Sequence, residues 1–184
     1  MIVAAVIGIL VLLAIFFIVT YNGLVQLRQR VQNAWSQVDV QLKRRYDLIP
    51  NLVNTVKGYA SHEKETLEEI TRARSAAMAA GSVADQSRAE NLLSGALRSL
   101  FAVAENYPEL KANTNFLQLQ EELSQTEDKI AYSRQFYNDT VQKFNTKLEL
   151  FPTNLVAGML GFGKADYFTL QGEPDARQAV QVKF

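Results

Sequence analysis

The sequence has no cysteine, one histidine and four prolines in 184 residues. Each shortage removes a class of protein. Without cysteine there is no disulfide framework, no thiol nucleophile and no cysteine-zinc site, and the redox compartment stays open. His62 alone cannot supply the two Glu-x-x-His pairs of a four-helix di-iron centre, nor the ligand spacings of a zinc site. No phosphate-cradling glycine loop and no Gly-x-Ser-x-Gly elbow is present. A surplus of one charge is missing too. Lys plus Arg is 19 and Asp plus Glu is 19, unlike the basic excess of a dedicated nucleic-acid binder. Scarce proline, and scarce glycine away from the ends, favour helices. No catalytic residue, cofactor, metal ligand or nucleic-acid partner is expected, and the protein is expected not to be an enzyme.

What the sequence does have begins with Ile2 to Val19, an apolar run of 18 residues. At about 1.5 Å per residue it nearly spans about 30 Å of hydrocarbon. Thr20, Tyr21 and Asn22 extend it, with Tyr21 placed where an interfacial aromatic sits. A cleaved signal peptide is the rival reading. Three features weigh against it: no basic residue precedes the run, no Ala-x-Ala-like pair follows it, and the helical pattern continues beyond it. Residues 2–22 are therefore expected to contact the lipid bilayer as a single-pass anchor. Arg28, Arg30, Lys43, Arg44 and Arg45 all follow the span. That bias places the C-terminal domain in the cytoplasm, and in a two-membrane cell the anchor in the inner membrane.

From Leu24 to Ile49, apolar or aromatic residues recur at Leu24, Leu27, Val31, Trp35, Val38, Leu42, Tyr46 and Ile49. The steps of three and four are a helix period, and the stripe needs other helices to bury it. Pro50 leaves two outcomes open: a helix that continues with a kink, or a helix that ends and restarts with proline in its first turn. Continuation is favoured, with helix to about Ala80 and Gly58 a weak point. Ser82 and Asp85 resemble a capping box opening a helix to about Asn106. Its inward set is Ala89, Leu92/Leu93, Ala96, Leu100, Val103/Ala104 and Tyr107. Asn106 and Pro108 suit the start of a short turn carrying Leu110. Asn115 with Gln118 is a candidate cap for the last long helix, about 116–149. There Phe116, Leu123, Ile130, Tyr137, Phe144 and Phe151 repeat every seven residues. The companion track of Thr126, Ser133 and Thr140 is too polar for a free coiled coil and suits a bundle.

Pro152 stops that helix. The run Asn154–Phe162 has three fates: capping the bundle, resting in a membrane interface, or docking a partner. Asp166–Phe168 and Val180–Phe184 alternate enough for extended structure. Among the polar residues, His62 reads as a surface side chain. Lys43-Arg44-Arg45 and Glu68-Glu69 read as solvated faces. Asn22, Asn33, Asn51, Asn54, Asn106 and Asn138 read either as caps and buried register-fixing bonds or as an exposed polar stripe for association.

Four long segments carry a resemblance: Tyr21–Glu63, Ala104–Leu123, Ile130–Asn145 and Phe151–Phe162. Together they are similar to the LemA family, in order and over nearly the whole chain. The resemblance implies a short membrane anchor followed by an antiparallel bundle of long helices, with no family catalytic residues to carry over. Relatives include a protein linked to magnetosome membrane formation, and members often occur near membrane proteases. The expected fold is all-α: an N-terminal transmembrane helix continuing into a bundle of about four long helices. The expected division is a 1–23 anchor, a 24–151 bundle, and a 152–184 apolar segment with a partly extended tail. The expected function is a self-associating, membrane-anchored scaffold or assembly protein. The alternative is an adaptor recruiting a membrane protease or envelope-stress partner through 154–184. Small residues along Val83–Tyr107, Ala89 and Ala96 among them, are the expected surface between subunits.

Overall fold

Helical periodicity dominates the structure. A computed structural model describes residues 1–169, and the extended pairing expected of Val180–Phe184 lies outside the described residues. Six helices follow in order: α1 (Ile2–Lys57), α2 (Lys64–Met78), α3 (Val83–Ala104), α4 (Pro108–Lys111), α5 (Thr114–Glu149) and α6 (Thr153–Met159). No strand occurs among the described residues, and Asp166–Phe168 has no regular secondary structure. The all-α architecture of long helices packed in a bundle is the one read from the sequence. The chain divides into two compact units. One combines 1–38 with 133–166, the other 39–132 with the chain from Tyr167 on; α1 and α5 contribute to both.

Pro50 lies inside α1, which continues to Lys57. The helix then breaks over 58–63, where continuity to Ala80 was expected. Glycine carries a backbone entropy cost in a helix, and Gly58 opens the break. Ala60, fully buried, pins the turn, and its N–H bonds to the Val56 carbonyl at 2.8 Å.

In the unit built on 39–132, four helical segments share one core. α1 supplies Leu42, Ile49, Leu52 and Val56; α2 supplies Ile70 and Ala77; α3 supplies Leu93, Leu97 and Leu100; α5 supplies Phe116, Leu123 and Ile130. Each large aliphatic or aromatic side chain among these contributes about 1.5–3 kcal/mol when fully buried relative to exposure. Cross-links show the directions. Asn113 on the approach to α5 donates to the Tyr59 hydroxyl at 2.8 Å, beyond the end of α1, while Glu127 of α5 meets Arg45 of α1 at 3.3 Å. Rising numbers on one helix meet falling numbers on the other, so these helices are antiparallel. α2 and α3 pack on each other, joined by a short turn. Phe168 is fully buried in this unit, and the Thr169 N–H bonds to Ser87 Oγ at 3.2 Å.

In the other unit, Leu24, Val31, Ala34 and Val38 of α1 are buried, with Tyr137, Val141, Phe144 and Leu148 of α5. Trp35 flanks this stripe, its ring edge-on to Tyr137 at 5.2 Å between centroids. Asn145 clamps the chain after α6. Its side chain accepts from the Ala165 N–H and donates to the Ala165 carbonyl, both at 2.9 Å. Tyr137 adds a bond to the Asp166 carbonyl at 2.9 Å. Burial, with the Asp166 charge adding to it, pushes the Tyr137 phenol up to about 12. α6 buries Thr153, Val156 and Ala157. It ends with Gly161 at φ 67°, and the Phe162 N–H reaches back to the Ala157 carbonyl at 3.0 Å. That is the helix-terminating motif glycine favours, since no Cβ opposes the left-handed backbone.

The heptad stripe of α5 holds from Phe116 to Phe144, but Phe151 is 79% exposed. The helix ends at Glu149, so position 151 no longer follows its register. The polar companion track is buried as well. The Thr126 hydroxyl bonds to the Glu122 carbonyl at 2.7 Å and the Thr140 hydroxyl to the Phe136 carbonyl at 2.8 Å. Bonding within their own helix lets these hydroxyls leave water.

The helix starts test the capping logic. Ser82 caps α3, accepting from the Asp85 N–H at 3.0 Å and donating to the Asp85 carboxylate at 2.7 Å. The Ser82 bond, with Arg88, holds Asp85 below the usual carboxylate range. At α4 the cap position is Tyr107, not Asn106, with Pro108 in the first turn. At α5 the cap is Asn113, two residues before the expected Asn115; its carbonyl oxygen accepts from the Phe116 N–H at 3.0 Å. Leu110, fully buried just upstream, fixes where the chain turns. Asn113→Ala is expected to cost about 1 kcal/mol, whereas Asn115→Ala, which removes no cap, costs little. Thermal unfolding of both variants checks this, and equal losses would refute the assignment.

Candidate functional site

Two adjacent residues of α1, Arg45 and Tyr46, point into the 39–132 core. The basic run Lys43-Arg44-Arg45, expected on a solvated face, is therefore split. Lys43 and Arg44 are exposed and Arg45 is buried. The reason is the stripe itself: Leu42, Arg45, Tyr46 and Ile49 occupy one helix face at spacings of three and four. Opposite them α3 presents Gln86, Glu90 and Ser94, spaced by four on one line.

Glu90 is completely buried. Its Oε2 accepts from Arg45 Nη1 at 3.1 Å. Its Oε1 accepts from the Tyr46 hydroxyl and from Gln86 Nε2, the latter at 3.1 Å. Gln86 Nε2 also lies 2.7 Å from the Tyr46 hydroxyl and 3.1 Å from the Ala77 carbonyl of α2. Arg45 Nη2 donates to Ser94 Oγ at 2.8 Å, and Nη1 lies 3.3 Å from Glu127 of α5. Arg74 of α2 donates to the Tyr46 carbonyl at 2.7 Å. One network thus ties α1, α2, α3 and α5. Arg45 Nε and Gln41 Oε1 are buried in this unit with no hydrogen-bond partner.

Burial pushes the Glu90 carboxyl above its ordinary range, against the opposing pull of Tyr46, Arg45 and Gln86. Burial, then the bond to Glu90, pushes the Tyr46 phenol up. Because the folded value of Glu90 lies above its ordinary 4.5, its stability contribution is complete below pH 4.5. That contribution is lost as pH rises through the folded value. Glu90→Gln, which does not titrate, removes this term. The stability difference, wild type minus variant, should fall as pH rises from 4.5. Parallel melting profiles across that range would exclude the effect.

Both Glu90 oxygens are occupied and none of its surface reaches solvent, so it has no free site at which to move a substrate proton. Beside the network a cleft of about 390 Å³ is lined by Arg45, Ser94, Arg98, Phe101, Ser124 and Glu127, among others. Arg98 is exposed there. No group of three or more His, Cys, Asp or Glu able to hold a metal occurs among the described residues. His62 is exposed, as read, and Asn22, Asn33, Asn51, Asn54 and Asn106 are exposed rather than buried. Ala89 and Ala96, expected between subunits, are 7% and 1% exposed. They are buried within their own unit, where α2 packs on α3. Sequence reasoning placed Tyr46 in the core but missed Glu90 and Gln86. The available signal was spacing: Gln86 lies three residues before Ala89 and Glu90 three before Leu93.

The second feature is α1 itself. It is the one helix among the described residues long and apolar enough to cross a membrane, and no residue of its apolar window is fully buried. A single apolar span running into helices whose polar interior bonds only to itself defines a membrane-associated, single-span helical-bundle protein. The chain belongs to the LemA family, whose model matches residues 34–184. It is 34% identical to protein LemA of Metamycoplasma hominis over 145 residues, 76% of this chain and 64% of that protein. It is 27% identical to magnetosome protein MamQ 2 of Paramagnetospirillum magneticum, covering 86% of this chain and 69% of the relative. It is 24% identical to magnetosome protein MamQ of Magnetospirillum gryphiswaldense, covering 80% and 64%. The chain thus spans about two thirds of the length of these curated relatives.

Proposed function

We propose that this protein is a membrane-anchored, non-catalytic helical scaffold that self-associates and organises a membrane or membrane-bound complexes. The observation that carries the reading is the continuity of α1. The unburied apolar run and the buried Leu24, Val31, Ala34 and Val38 belong to one helix. An anchor without a flexible linker favours ordered lateral packing over free rotation. Several relatives are magnetosome proteins, which fits a part in building a membrane-bound structure. With both Glu90 carboxylate oxygens bonded inside the protein, the polar core fits a structural rather than a chemical use. The basic bias after the span favours a cytoplasmic C-terminal domain, in the inner membrane of a two-membrane cell.

The test is the mass of the full-length protein extracted in mild detergents, beside a version starting at Leu24. A regular particle well above dimer mass is the expected result. A monomer or dimer in every detergent would sink the scaffold reading. It would favour the adaptor alternative, in which 154–184 recruits a membrane protease or envelope-stress partner. The exposed face of α6 is the observation on which that alternative rests.

A further inference from the structure

α6 has two apolar faces. One packs into the unit formed by 1–38 and 133–166 through Thr153, Val156 and Ala157. The other presents Leu155 at 59% and Met159 at 77% exposure, with Leu150, Phe151 and Leu160 exposed beside them. No charged residue occurs between Phe151 and Gly163. Large apolar side chains exposed together on one surface mark a contact surface.

Contacts beside this patch set it next to the end of the apolar run of α1. Phe162, fixed by the glycine turn at the end of α6, meets the Tyr21 ring edge-on at 6.1 Å. Tyr21 closes the apolar run of α1. Burial on α1 begins still earlier: Phe17, inside the run, is half-buried, and Thr20 and Leu24 are buried on the same face. Phe17 precedes Tyr21 by four residues, about 6 Å along the axis. Shielding of α1 therefore reaches the depth where acyl chains begin. Arg28 lies with its guanidinium 5.2 Å from the Phe162 ring centre, a cation at the level where basic side chains meet headgroups. Glu149, the nearby acid, is paired with Lys164 at 2.5 Å.

We propose that the Leu155/Met159 face of α6 lies in the headgroup–acyl boundary of the bilayer crossed by α1, as a second, interfacial contact with lipid. The proposal rests on α1 spanning that bilayer. An interfacial helix of this kind buries its apolar face about 5–10 Å into the boundary.

The chain's lack of cysteine makes single-cysteine labelling clean. Leu155→Cys and Met159→Cys in the full chain would carry a polarity-sensitive fluorophore, with Val11→Cys as the span control and Ser36→Cys as the aqueous control. Each would be reconstituted into phosphatidylcholine–phosphatidylglycerol vesicles containing lipids spin-labelled near the headgroup or deep in the chain. Shallow quenching at 155 and 159 is expected to exceed that at Ser36 by about twofold or more, for labels seated in the boundary. Quenching at Val11 by the deep label, with 155 and 159 matching Ser36, would overturn the interfacial contact while leaving the span intact. Blue-shifted but unquenched labels at 155 and 159 would overturn it in favour of a protein covering the face, with a second copy revealed by mass. An unquenched Val11 would remove the span, and the proposal with it.

Discussion

Glu90→Ala is expected to destabilise the 39–132 unit by about 3–5 kcal/mol, the usual cost of stripping one partner from a buried ion pair. The variant takes away the acceptor of Arg45, the Tyr46 hydroxyl and Gln86 at once. Glu127 still offers Arg45 a counter-charge at 3.3 Å, which places the effect toward the lower end. Removing both charges together is a different experiment. Arg45→Met with Glu90→Leu replaces the pair by apolar volume, and such replacements are often neutral or stabilising. The double variant should therefore recover much of the loss, with a coupling of about 0.5–3 kcal/mol. Thermal unfolding followed by circular dichroism, in one mild detergent throughout, reads the four corners of that cycle: wild type, Arg45→Met, Glu90→Leu and the double variant. Additive losses would mean that the two side chains do not act as a pair.

The second large effect concerns the anchor. Ile9→Arg combined with Leu13→Arg puts two charges on one face of the unburied apolar stretch of α1. Each arginine near the centre of a span costs about 2.5–3.5 kcal/mol of insertion free energy. Both wild-type side chains are more than half exposed in the structure, so nothing in the protein's own packing is lost. The double variant is expected to leave the alkali-resistant membrane fraction, with helical content beyond the span retained. Full retention in that fraction would show that the apolar run is not what holds the chain to membranes.

The two experiments address the parts of the molecule that were unequally readable. The anchor was legible because hydrophobic length is a property of consecutive residues. The long helices were legible because their stripes repeat along one chain. The start of α3 was legible because Ser82 and Asp85 sit three residues apart. Errors gathered where the deciding neighbour is remote. Asn113 rather than Asn115 caps α5 because buried Leu110 sets the turn. Phe151 leaves its heptad because the helix ends first. Ala89 and Ala96 are buried within a unit where α2 packs on α3.

The sequence by itself determined an all-α chain, the apolar span, the register of the long helices and membership of a family. Those follow from patterns that a single helix expresses without knowing its neighbours. Only the tertiary structure decided that Arg45 is inside while Lys43 and Arg44 are outside. Only the tertiary structure brought Glu90, 45 residues away, to meet it, and set Phe162 against Tyr21. A charge enters a core only where a counter-charge from another helix arrives at bonding distance, because desolvation otherwise outweighs anything its own helix gains. That distance is a property of packing, and no local pattern encodes it.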